Sequence, residues 1–296
     1  MTAKRRLCGG HSMVARLRRV LICDPATAGW MDPTQDARWR GLGYQHRLEP
    51  AVAAAQHEAL RQQLESAGCE VSLLPPSAGF SLDAIYTHDA SFVSDLGAVL
   101  LPMGKAARRN ETEAHRSFYR SLGIPIFAEL LQPATAEAGD IVWLDARTLL
   151  VGRGFRTNAA GIEQLRCAFA PQGVEVIAAP LPGRGGPSSC LHLMSLMSML
   201  DDSTILVDPE WLAVETLELF EERGLTQIEI APSERDTLAC NVLALGDRKL
   251  LALDVNSETN RRLRDHGFEV RTFPGSEIAL NGGGGPTCLT RPLLRG

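Results

Sequence analysis

Amphipathic stretches with helical periodicity recur five times along the chain, each closing at a glycine and each followed by a short β-rich run. HEALRQQLESAG (57–68) precedes CEVSLLP, and EAHRSFYRSLG (113–123) precedes IPIFAEL. GIEQLRCAFAPQG (161–173) precedes VEVIAAP, ETLELFEERG (215–224) precedes LTQIEIAP, and ETNRRLRDHG (258–267) precedes FEVRTFP. The closing glycines, Gly68, Gly123, Gly173, Gly224 and Gly267, are spaced 43 to 55 residues apart. Each is expected just beyond a helix end, where a left-handed backbone costs glycine nothing.

Ahead of the helices lie apolar runs that read as one strand or a pair: RRVLICDP, ASFVSDLGAVLLPM, DIVWLDARTLLVGRG, STILVDP and NVLALGDRKLLALD. Gly246-Asp247 and Asp145-Ala146-Arg147 sit between apolar runs, as hairpin turns do. The repeating unit is therefore strand–strand–helix–strand. Helix and strand mix in every unit, which makes the class α/β, and the strand pairs do not suit a simple βαβ run. No linker separates the units, so residues 17–296 are expected to form a single domain. Residues 1–16, carrying Lys4, Arg5, Arg6 and Arg16, are expected to be a flexible basic tail.

Polar residues follow each post-glycine strand at comparable offsets, 14 to 21 residues beyond the glycine: Asp89, Glu137, His192, Cys240 and Cys288. If the units surround a common axis, these positions converge at one end. Composition narrows the chemistry further. A net charge of −5 with no basic stripe argues against a nucleic-acid partner, and no apolar segment suggests a membrane span. Seven scattered cysteines without a C-x-x-C or zinc spacing suggest a reducing, cytoplasmic setting and no metal. The run GGGGPTC (282–288) lacks the Lys-Ser/Thr of a phosphate loop, and GRGF (152–155) lacks a third glycine for a dinucleotide site. Glycines that allow close backbone approach would instead set Cys288 on the floor of a pocket.

Together DAIYTHD, EAGD, GRGFRTN, LHLMS and GGGGPTCLTRPL, in this order from about Arg19 to Arg295, resemble the dimethylarginine dimethylaminohydrolase family within the guanidine-modifying superfamily. The resemblance implies the five-bladed α/β propeller called a pentein, arranged about a pseudo-fivefold axis. It implies a hydrolase acting on a guanidino or N-methylated guanidino compound through a covalent amidino intermediate on Cys288. His192 would move the protons, with Glu137 orienting it. Asp89 would grip the guanidine, Asp83 a more distal amine, and Arg156 a substrate carboxylate. No cofactor is implied; the partner is a small-molecule guanidine, and a homodimer is compatible with the fold.

Alternatives within the same fold are an amidinotransferase using the same intermediate and a non-enzymatic binding protein. The sequence also departs from the family. His88 stands where the dimethylarginine hydrolases carry an acid, and Leu101, Pro102 and Met103 stand where a second carboxylate-binding arginine is expected. Met194 replaces an aspartate of arginine deiminases, Ala138 replaces a glycine, and Asn281 lies where an acid is common. Asp140 is read as structural support, and Cys240 with Asn241 as packing beside the pocket.

Overall fold

The computed structural model describes residues 6–183, 186 and 191–296. Among them are five three-stranded sheets of one design. The central strand of each pairs antiparallel with an inner strand and parallel with an outer one. Four sheets follow chain order: Ser91–Ser94, Gly97–Leu100 and Ile126–Glu129; Ile141–Asp145, Thr148–Arg153 and Glu175–Pro180; Met197–Asp201, Thr204–Val207 and Thr226–Glu229; Leu243–Gly246, Lys249–Leu253 and Glu269–Phe273. In each, the helix lies between the central and outer strands, as a right-handed parallel crossover requires.

The remaining sheet closes the ring. Its central strand, Leu17–Ile22, pairs parallel with Glu70–Leu73 and antiparallel with Arg291–Arg295 at the carboxy terminus. The first unit thus takes its inner strand from the other end of the chain, a pairing that no local periodicity signals. The expected tail also engages this seam. Gly9 donates to Leu293 O and accepts from the Arg295 N–H, both at 2.9 Å. His11 stacks on Trp143 at 4.0 Å, and Cys8 is buried. From Arg6 onward, the segment expected as a free tail is packed against the blades, and residues 1–5 lie outside the described residues.

The helices of the five crossovers are Pro50–Ser66, Glu111–Ser121, Ala159–Phe169, Val214–Glu222 and Ser257–Asp265. All five expected glycines follow them with φ between +67° and +84°. The first helix starts seven residues earlier than its periodicity suggested, because Pro50 supplies a preset first turn ahead of an alanine-rich stretch. Central strands are mostly apolar, inner strands are apolar with buried exceptions such as Ser91 and Ser94, and both are nearly all buried, while outer strands are half exposed. Helices cover one side of each sheet and the neighbouring blades the other, so these strands read as continuous apolar runs.

Candidate active site

Repetition explains why the polar residues meet. A short helical segment or a loop precedes each inner strand, and the expected site residues lie there, except Arg156, which follows the central strand Thr148–Arg153. Asp89 stands two residues before Ser91, Glu137 four before Ile141, His192 five before Met197, and Cys288 three before Arg291. A fivefold arrangement brings these five entrances to one end. Cys288, His192, Asp83, Asp89 and Arg156 all line one cavity of about 320 Å³. Glu137, fully buried, sits directly behind the imidazole.

The His192 Nε2–H donates to Glu137 Oε2 at 2.7 Å, and the Lys105 backbone N–H donates to Glu137 Oε1 at 2.9 Å. Arg156 approaches the same carboxylate at 3.4 Å. Burial pushes the Glu137 carboxyl up, but the His192 hydrogen bond and charge, with Arg156, outweigh it and leave it low, at about 2. Asp89 follows the same logic: burial opposes ionisation, and His192 and Arg108 hold it well below the usual carboxylate range. Gly139 lets these groups approach. A methyl there would sit 2.6 Å from His192 Nδ1 and 3.0 Å from Asp89 Oδ1. Asp140 behaves as expected of a support, accepting from the Thr157 hydroxyl at 2.6 Å and the Leu193 N–H at 2.9 Å. Burial raises its carboxyl to about 6.

The glycine run has a steric reason. A Cβ at Gly284 would lie 2.6 Å from the Tyr86 ring and 3.0 Å from Cys288 Cβ, and one at Gly285 would lie 2.7 Å from Asn241 Oδ1. Gly283 takes φ of +80°. The backbone therefore wraps within contact distance of Tyr86 and Asn241, and Cys288 emerges at the cavity wall.

Several functional groups were not legible beforehand. In the fourth unit the position facing the site belongs to Asn241, not Cys240. Asn241 Nδ2 donates to Cys288 Sγ at 3.1 Å, whereas Cys240 is core and its thiol is pushed far up by burial. One residue decides: in the turn ahead of the strand Leu243–Gly246, Cys240 packs into the core and Asn241 lies against the sulfur. Arg108 reaches Asp89 Oδ2 at 2.5 Å, clasps Glu111 at 2.7 and 2.9 Å, and donates to Tyr86 O at 2.7 Å. Lys105 places its ammonium 2.6 Å from Asp83 Oδ2 and 2.8 Å from Leu42 O. Long side chains from a loop give no periodic signal, and the i, i+3 pair Arg108 and Glu111 is the sequence feature that bears on this contact. His88 turns away from this cavity toward the propeller axis, bonded to Thr290 O at 2.8 Å. Burial, then Arg291, pushes its imidazole down to about 3, so it is neutral and no substitute for an acidic grip.

Ligand atoms of Asp89, Glu137 and His192 lie within 4.8 Å of one another, a spacing that suits a cation. In this structure Asp89 is paired with Arg108 and Glu137 with His192. The arrangement thus offers a thiol with an amide donor, an acid-backed imidazole and two carboxylates around one cavity: parts for covalent attack on a planar cation.

Comparison with known proteins agrees. The family model described as N,N dimethylarginine dimethylhydrolase, eukaryotic, matches residues 32–295. The N(G),N(G)-dimethylarginine dimethylaminohydrolase of Streptomyces coelicolor is 31% identical over 228 residues, covering 75% of this chain and 79% of that protein. Among solved structures, the Pseudomonas aeruginosa enzyme, a Cys-to-Ser mutant complexed with citrulline, aligns with a TM-score of 0.76 at 22% identity, over 93% of this chain and 99% of that one. The amino-terminal domain of a cyanobacterial arginine dihydrolase, bound to substrate, gives 0.78 at 23% identity, over 94% and 97%. With the fold, the motif order and the family model in agreement, the chain belongs to the dimethylarginine dimethylaminohydrolase family of pentein hydrolases.

Proposed function

We propose that Cys288, His192 and Glu137 carry out the guanidino C–N hydrolysis characteristic of this family, with Asp89 gripping the guanidinium. The Cys288 thiolate attacks the central guanidine carbon, forming a C–S bond. As the tetrahedral adduct collapses, the C–N bond to the leaving amine breaks and that nitrogen takes a proton from the His192 imidazolium. The amidino-thioether that remains is attacked by water, which gives its proton to His192. Collapse releases a ureido product and restores the thiolate. Asn241 stabilises the sulfur anion in both half-reactions through its amide N–H. Glu137 holds the ring and favours its charged form.

One observation carries this reading: a cysteine and an acid-backed histidine from two different blades line the same cavity as Asp83 and Asp89. A cytoplasmic setting fits an enzyme whose catalytic group must be a reduced thiol, and no disulfide joins the described cysteines. No described helix is long and apolar enough to cross a membrane. The test is amine and ureido-product release from a panel of guanidines, including asymmetric dimethylarginine and arginine. Turnover by the wild type that is absent in Cys288→Ser is expected. Equal rates in the two proteins would remove the cysteine from the chemistry.

A further inference from the structure

The distal end of the cavity is already filled by a cation of the chain itself. Lys105 Nζ lies 2.6 Å from Asp83 Oδ2 and 2.8 Å from Leu42 O. A substrate α-ammonium bound by Asp83 would seek such acceptors. The lysine side chain is 23% exposed and lines the cavity beside Arg156, whose backbone touches Gly104 closely enough to exclude a Cβ there. Leu101 and Met103, where the family resemblance places a second carboxylate-binding arginine, are fully buried. The cation absent from those positions is supplied two residues later in the same loop.

We propose that Lys105 sets the substrate class of this site: ω-guanidino carboxylic acids that carry no α-ammonium. The inference rests on the hydrolase reading above and narrows it. An amino-acid head group would bring its ammonium to acceptors that Lys105 already holds, so like charges would meet in a confined space. A bare carboxylate meets the opposite situation. The Lys105 ammonium donates to Leu42 O and is ion-paired with Asp83, and its three donors leave capacity for an anion. Arg156, tied to Glu137 in the adjoining loop, adds a second positive charge. Exclusion of one head group and attraction of the other come from a single side chain.

The matched probes are arginine and 5-guanidinopentanoate, which differ only by the α-ammonium. The wild type is expected to use 5-guanidinopentanoate with at least a tenfold higher kcat/KM, the difference lying mainly in KM. In Lys105→Met the KM for 5-guanidinopentanoate rises and arginine turnover improves, so the preference narrows by tenfold or more. A wild type that prefers arginine, or a Lys105→Met variant with unchanged preference, overturns the proposal and leaves the hydrolase reading standing. Failure to turn over either probe or asymmetric dimethylarginine removes both.

Discussion

Asn241 donates from Nδ2 to Cys288 Sγ at 3.1 Å while its Oδ1 accepts the Thr287 N–H at 2.9 Å. One side chain therefore holds both the proposed nucleophile and the loop that delivers it. A donor on sulfur favours the thiolate over the thiol. Asn241→Ala should lower kcat/KM by about 100-fold, the scale of a lost transition-state donor or a misplaced reacting group. It should also move the pH midpoint of Cys288 alkylation by iodoacetamide upward. Superimposable alkylation curves for variant and wild type would show that the contact is passive.

Glu137 links activity and stability to pH. Its carboxyl is held at about 2 in the folded chain, against an ordinary 4.5. The unfolded state therefore binds the extra proton first, and the contribution to stability is complete above pH 4.5. It is lost as pH falls from there toward 2. Glu137→Gln should flatten this part of the acid-unfolding curve. The same variant should shift the basic limb of the rate profile to lower pH, since the imidazolium loses its counter-charge. An unshifted limb would mean that Glu137 serves only to pack the ring.

Substitutions in the glycine run should separate backbone conformation from close approach. Gly285→Ala places a methyl 2.7 Å from Asn241 Oδ1 and 2.8 Å from its Cβ. It should destabilise by about 1–3 kcal/mol and reduce activity more than tenfold by displacing Asn241 from the sulfur. At Gly283 nothing lies within 4 Å of an added Cβ, but φ is +80°. Gly283→Ala should cost roughly 1–2 kcal/mol of backbone strain with a smaller loss of turnover. Thermal melts paired with initial rates read both effects.

Much of this was legible because it repeats. A glycine beyond each helix, a strand pair before it and a polar residue at a similar offset recur often enough to expose the blades and place Glu137, His192 and Cys288 in one site. What was hidden does not repeat. The inner strand Arg291–Arg295 joins the first blade across the whole chain, and Gly9 pairs beside it at Leu293 and Arg295. Asn241 rather than Cys240 reaches the thiol because of a single-residue register. Lys105 and Arg108 enter the cavity through long, flexible side chains whose destination depends on the acids they meet.

Arg108 makes that dependence testable. Its guanidinium is fully buried among Asp89, Glu111 and the Tyr86 carbonyl, and burial, helped by the charges of Asp83 and Asp89, pushes the Glu111 carboxyl up to about 7 against its pull. Removing the cation strands buried acids, so Arg108→Met should destabilise by about 3–5 kcal/mol. Adding Glu111→Gln should recover part of the loss. Urea denaturation of the single and double variants measures it, and a double variant no more stable than the single would argue against charge as the cause.

The central claim is that a carbon–sulfur bond to Cys288 forms during turnover. Intact-mass spectrometry of acid-quenched reactions with a turned-over guanidine tests it most directly. The account predicts a transient amidino adduct that maps to Cys288, is absent in Cys288→Ser, and persists longer in Asn241→Ala or Glu137→Gln if hydrolysis slows. Steady turnover with no adduct at any quench time, alongside an active Cys288→Ser protein, would contradict it.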